Sequence, residues 1–308
     1  MTNLKKIGLT ALAGSLAVTA YAQAGALSVS GTARMEYQST TSAAGNADDS
    51  FAQNTSISFS GSGELDNGMN VSYFSLQTTG TNSYSQSVAL DMGDMGTVTM
   101  SNYNMAGIGM IQDKVPNGGE QPWDDIGTHG GHEDGVASPH TGDRLGYTTA
   151  GDIVVSAAVD MAADGNTSSI AISSSTLVDG LKIVAGIADV QSTQALEDDL
   201  VTYGLSYTMG SISVGAQKTK VDAEAATSDI ERDAYGISFA VNENLSVGYG
   251  ISDTEFEAQS RDEENTGIGI AYTSGGMKLG IINNTNDNAG GTAGGQDEMT
   301  ELQLTFAF

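Results

Sequence analysis

From Leu27 to the last residue, apolar side chains recur at every second position. Leu27, Val29, Gly31, Ala33, Met35 and Tyr37 share one face, while Ser28, Ser30, Thr32, Arg34 and Glu36 share the other. The alternation returns at Ile153, Val155, Ala157, Val159 and Met161, and again at Leu245, Val247, Tyr249 and Ile251. It closes the chain with Leu302, Leu304, Phe306 and Phe308. A period of two is that of a strand whose two faces meet different surroundings. It predicts sixteen strands, over 27–39, 53–64, 69–78, 84–92, 97–102, 144–150, 153–161, 168–177, 181–191, 199–208, 211–220, 231–241, 245–254, 265–273, 277–285 and 299–308.

The connections alternate in length. Asp66-Asn67-Gly68, Gly93-Asp94-Met95-Gly96, Gly151-Asp152, Asp179-Gly180, Met209-Gly210, Asn242-Glu243-Asn244 and Ser274-Gly275-Gly276 are tight turns. Their residues supply the positive φ angles that hairpins need. Between them are expected longer polar loops at 40–52, 103–143, 192–198, 221–230, 255–264 and 286–298, with the rhythm weakening at 79–83 and 162–167. A soluble sandwich has no reason to gather short turns at one end and long loops at the other. A transmembrane barrel does: its turns are short on one side and long on the other, and about 9–11 residues carry each strand across. The polar faces, rich in Ser, Thr, Gly, Gln and Asn, suit a wet lumen, and the apolar faces suit lipid. Closure removes the strand edges that a bilayer does not tolerate. A secreted β-sandwich is the competing fold; a solenoid lacks the fixed-length repeat it needs.

Composition narrows the function. The chain has 308 residues, 40 of them Gly, no Cys, and 11 Lys+Arg against 38 Asp+Glu. Cysteine frameworks and Cys-based zinc sites are excluded, and no basic surface for nucleic acid is available. Lys5 and Lys6 precede a short apolar run from Ile7 to Val18 and the small-x-small triplets Ala20-Tyr21-Ala22 and Ala22-Gln23-Ala24. This is the layout of a secretory signal peptide over residues 1–24, cut after Ala22 or Ala24, and the run is too short for a membrane anchor. Residues 25–308 are then one barrel domain. The two lysines leave with the leader, so nine bases face 38 acids, a net charge of −29.

The segment 103–143 breaks the period. It holds all three prolines (Pro116, Pro122, Pro139), all three histidines (His129, His132, His140) and the single Trp123. A loop of this length inside a compact fold is usually functional. The stretches SVSGTARMEY, LDMGDMGTVTMSN before the loop, DRLGYTTAGDIVVSAAVDM after it, and the terminal TFAF resemble the general-diffusion porins of Gram-negative outer membranes, most closely those of alphaproteobacterial purple bacteria. The resemblance implies an all-β, sixteen-stranded antiparallel transmembrane β-barrel in the outer membrane, with its third long loop folded inward to narrow the pore. It further implies a homotrimer, outer-membrane lipid and lipopolysaccharide as surroundings, and calcium at acidic positions in many members.

Under that resemblance Asp113, Glu120, Asp124, Asp125, Glu133 and Asp134 are the constriction-loop candidates. Strand parity puts Arg34, Glu36 and Arg144 on the pore wall, and Lys182 and Lys278 inward near the short-turn end. Trp123 offers apolar area either to pin the loop to the wall or to stand on the barrel rim. The run His129 to Asp134 has the ligand types of a metal site but a loose spacing. The acidic runs Asp48-Asp49, Glu197-Asp198-Asp199 and Asp262-Glu263-Glu264 are candidate Ca²⁺ positions, although no cofactor is required. No catalytic fingerprint occurs, so no enzyme is expected. The expected function is passive diffusion of small hydrophilic solutes and ions with a preference for cations. The alternative is a closed structural or adhesive barrel whose acidic loops bind partners or lipopolysaccharide through divalent cations. Sixteen strands favour the open channel, because only much smaller barrels are filled by their own side chains.

Overall fold

The computed structural model describes residues 23–24, 27–42, 47–79, 81–102, 105–119, 121, 123–128, 143–162, 165–193 and 196–308. The leader expected over 1–24 lies outside them apart from Gln23 and Ala24, which pair with Glu64 and Gly63. Sixteen long strands follow: β1 (Ser28–Thr41), β2 (Ala47–Glu64), β3 (Asn70–Thr78), β4 (Thr81–Asp91), β5 (Thr97–Ser101), β6 (Arg144–Thr148), β7 (Ile153–Ala162) and β8 (Gly165–Ser174). The second half comprises β9 (Leu181–Thr193), β10 (Leu196–Met209), β11 (Ile212–Asp222), β12 (Ile230–Ala240), β13 (Leu245–Phe256), β14 (Glu263–Ser274), β15 (Met277–Asp287) and β16 (Gln296–Ala307). Each pairs antiparallel with its sequence neighbours. β16 pairs back onto β1, with Leu302 opposite Tyr37 and Phe306 opposite Ala33, which closes the barrel.

The binary pattern becomes an inside and an outside of inverted polarity. On β6, Leu145 and Tyr147 are 53% and 41% exposed, while Arg144 between turn and wall is 3% exposed. On β14, Ile268, Ile270 and Tyr272 face out, and Glu263 and Asn265 are buried. Apolar side chains on the outer face are what a hydrocarbon solvent selects. The short-turn glycines Gly68, Gly93, Gly151, Gly180, Gly210 and Gly275 all have positive φ, as their turn chemistry predicts.

Two expectations are corrected. The long-loop ends are shorter than the polar sequence suggests: β2 starts at Ala47, and β9 and β10 reach Thr193 and Leu196. The loops expected at 40–52 and 192–198 are thus mostly strand. The backbone ladder continues there after the apolar alternation has stopped, because hydrogen bonding does not depend on which side chains face outward. The inner wall is also not uniformly polar. Ala171, Val184, Ala188, Leu200 and Val221 face inward on β8 to β11 and form a buried cluster with Ile108 and Ile111 of the loop after β5. A second cluster joins Val115 and Trp123 of that loop to Ala234 of β12. The hydrophobic core of this protein is the seam between loop and inner wall.

Candidate pore constriction

The loop is laid along the inside of the barrel by a succession of wall contacts. Ala106 lies against Gly146 of β6. Gly107 N donates to Ser156 Oγ of β7 at 2.9 Å, and Ile108 N to Ser169 Oγ of β8 at 3.1 Å. Gln217 of β11 holds the next turn from both sides: its Nε2 donates to Ile111 O at 3.2 Å, and its Oε1 accepts from Lys114 N at 3.3 Å. Gly118 then lies directly on Gly248 of β13, where a Cβ on either residue would collide with the other backbone. Ser246 Oγ donates to Gly118 O at 3.4 Å, and Lys278 Nζ of β15 to Gly119 O at 3.0 Å. These last partners stand near the short-turn ends of their strands. From there the loop climbs again. Asn284 Nδ2 donates to Asp124 O at 3.1 Å. At the top of β14, Glu263 accepts from Thr128 N at 3.0 Å, Thr128 Oγ1 at 2.7 Å and Gly290 N at 2.5 Å. A buried carboxylate surrounded by donors is satisfied, so it anchors the loop without an unpaired charge.

Trp123 is 2% exposed and pinned to the wall, the first of the two placements its apolar area allows. Its indole Nε1 donates to Gln121 Oε1 at 2.7 Å, and the Arg232 guanidinium of β12 stands 4.8 Å from the ring centroid. Arg232 is an anchoring residue that parity alone does not single out.

The candidate acids fall into separate environments. Asp113 and Asp125 are exposed on the loop, both with positive φ. Asp113 accepts from the Gln121 side chain. Asp124 is half-buried and closes a local turn, its Oδ2 accepting from Gln121 N at 3.2 Å. Glu120, Glu133 and Asp134 lie outside the described residues, as do His129, His132 and His140. On the wall, Arg34 and Glu36 face inward from β1 and pair with each other at 2.9 Å. Arg144 is buried opposite Asp160 of β7. Among the described residues no group of three or more His, Asp or Glu converges as a metal site would. Asp48-Asp49, Glu197-Asp198-Asp199 and Glu263-Glu264 lie in strands, where adjacent carboxylates point to opposite faces.

The bases that reach the lumen include three outside the wall set chosen from sequence. Lys114 sits on the loop itself, its Nζ donating to Gln112 O at 2.5 Å. Burial, and then the neighbouring Lys182, push its ammonium below the usual lysine range, and Asp113 opposes them. Lys182 and Lys278 point inward as parity predicts. Their importance was hidden because nothing local shows that the loop descends to their level.

A family profile for Gram-negative porins matches residues 8–273. No curated protein sequence is recognisably similar. Solved structures are similar in fold. An anion-selective porin from Comamonas acidovorans aligns with a TM-score of 0.72 at 16% identity, over 92% of this chain and 100% of that one. The outer membrane protein OmpT of Vibrio cholerae gives 0.68 at 12% identity, over 92% and 98%. A triple mutant of Rh. blastica porin gives 0.66 at 14% identity, over 92% and 100%. With its closed sixteen-stranded barrel and its inward loop, this chain belongs to the Gram-negative porins, the diffusion channels of the outer membrane.

Proposed function

We propose that the channel passes small hydrophilic solutes and ions passively, with a preference for cations, and that it works as a homotrimer after export by a cleaved leader. The observation that carries the channel reading is the path of the loop. Its described residues follow the inner wall from β6 to β15. A loop laid along this part of the wall narrows the lumen, and a barrel of sixteen strands is wide enough to keep an aqueous channel beside it. The cation preference rests on charge: nine bases against 38 acids, with inward carboxylates such as Asp48, Asp160, Asp198 and Asp297 at the long-loop ends of their strands. Negative charge at a pore mouth raises the local cation concentration, within a Debye length of about 8 Å at physiological salt.

Support for the trimer comes from the outer face of β2 to β4. Gln77 occupies an exposed outward position opposite Ile57, and Gln86, opposite Ser75, is exposed on the same face. Hydrogen-bonding side chains in this place suit a neighbouring protein better than lipid.

A reversal potential across a KCl gradient tests the selectivity. Cation preference at low salt that weakens as salt rises is expected; anion preference at low salt would overturn it.

A further inference from the structure

The outer wall of a closed barrel is convex, yet the outer face of β7 to β11 is hollowed. Two cavities of about 370 Å³ and about 570 Å³ lie side by side there and share Ile170, Ile187 and Val201. The hollow follows from side-chain size. Ala157 of β7 stands opposite Ile170, and Ala185 of β9 lies between Ile172 and Tyr203. The two alanines are the floor of a trough, and the exposed Ile170, Ile172, Ile187 and Tyr203 are its ridges. Behind the trough, on the inner face of the same strands, the loop packs Ile108 and Ile111 against the wall. This part of the barrel is therefore apolar on both faces.

The trough has a direction. Its lower part is lined by Val155, Ile172 and Ala185, and its upper part, toward the long-loop end, finishes at Asp189, Asp199 and Asp222. Those three carboxylates form one row across the sheet: Asp189 is opposite Asp199, and Asp199 is opposite Asp222. Like charges directly opposite on one face, with Cβ atoms about 5 Å apart, are destabilising. Asp222 has Lys220 at 3.1 Å. Among the described residues neither Asp189 nor Asp199 is ion-paired to a base. The row also marks a boundary. Ile187 and Val201 are the last apolar outward residues of β9 and β10 before it. Apolar floor below and charge above is the order in which a membrane lipid presents its chain and its headgroup.

We propose that this trough is a binding site for a lipid whose headgroup carries a primary amine, with the acyl chain on Ala157 and Ala185 and the ammonium on Asp189 and Asp199. A primary ammonium supplies a positive charge and three donors, so it bonds the carboxylates and relieves their repulsion. A headgroup that is only anionic adds a further like charge to the row, and a quaternary amine brings charge without a donor. A soluble cationic peptide would meet the acids but not the apolar floor beneath them. The site lies away from β2 to β4, the subunit contact proposed above, and it rests on that placement, which leaves β7 to β11 facing lipid.

Native mass spectrometry of the delipidated protein, titrated with phosphatidylethanolamine, phosphatidylcholine or phosphatidylglycerol of identical chains, reads the preference directly. Phosphatidylethanolamine is expected to be retained over the other two. The Asp189→Asn/Asp199→Asn double variant should lose that preference and still hold lipid through the trough. Ala185→Trp, which fills the floor, should weaken retention of all three lipids. Asp253→Asn removes an exposed outward acid on β13, away from the trough, and should bind as the native protein does. Heat-modifiable mobility on gels checks that each variant is folded, and Asp199→Asn alone replaces the double variant if that one does not fold. Equal retention of the three lipids by the native protein would overturn the site, as would an unchanged preference in the folded Asp variants. Retention of phosphatidylcholine equal to phosphatidylethanolamine would overturn the donor role of the ammonium. If Ala185→Trp instead dissociates the oligomer, this face is a subunit contact, and the placement on which the site rests is what fails.

Discussion

Trp123 is the residue on which the loop's second half turns. It is buried against Val115 and Ala234 and covered by the Arg232 guanidinium. Truncating a buried Trp costs about 3–5 kcal/mol, and a desolvated cation–π contact adds about 2 kcal/mol. That cost falls on loop docking, because the strand ladders do not pass through Trp123. Trp123→Ala should therefore give a folded barrel with a larger and noisier single-channel current; an unchanged, quiet current would show that the indole does not hold the loop. Glu263 is the second pin. Glu263→Gln keeps one acceptor and loses the charge, so charge-assisted bonds of about 1.5–3 kcal/mol are weakened. Its phenotype should be the same in kind and smaller. Trp123 was legible from sequence as an isolated aromatic in a polar loop. Arg232 and Glu263 were not, since their partners lie more than a hundred residues away in the chain.

At the scale of elements, the loop needs two things from the wall: an apolar strip and places without side chains. The strip leaves a mark in the sequence. β9 contains Ile183-Val184-Ala185-Gly186-Ile187-Ala188, an unbroken apolar run in a chain that otherwise alternates. Such a run belongs to a strand covered on both faces. On β9 one cover is lipid and the other is the loop, whose Ile108 and Ile111 pack on Val184 and Ala188. The gaps are glycines, and Gly248 is the tightest, with Gly118 lying on its Cα. A side chain there cannot share the space with the loop. Gly248→Val should push residues 117–119 into the lumen and lower the single-channel conductance while the barrel still folds; native conductance in a folded variant would place the loop elsewhere. The acidic extensions of β2, β9 and β10 were read as loops because alternation of hydrophobicity was the only signal used. Above the lipid band that alternation ends, yet the ladder goes on.

For the whole molecule, the outer surface divides into an apolar belt and a departure from it. Ile183, Ile187, Leu205, Ile237, Tyr249 and Ile270 are exposed around most of the barrel. On β2 to β4 the exposed outward positions include Thr55, Gln77 and Gln86 beside Ile57, Tyr73 and Val88. A charge at mid-membrane costs about 2–4 kcal/mol against lipid, and a large one between packed subunits also breaks their fit. Gln86→Arg, at an exposed outward position, should convert the oligomer to monomer in mild detergent without closing the channel. An oligomer of native size in that variant would remove β2 to β4 from the subunit contact.

The sequence alone determined the barrel, its strand order, its inside and outside, and the existence of one exceptional loop. These are written in a period of two and in turn glycines, which act over a few residues and repeat sixteen times. The sequence also placed Lys182 and Lys278 inward by parity. Only the tertiary structure decided how far the loop descends, which acids stay exposed and which bases it meets. Asp124 is spent on a turn, Glu263 on an anchor and Arg34 on Glu36, whereas Lys114 is carried to Lys182. The physical reason is that strand geometry follows from each residue's near neighbours. The path of a loop without a period follows from contacts with ten strands drawn from the rest of the chain.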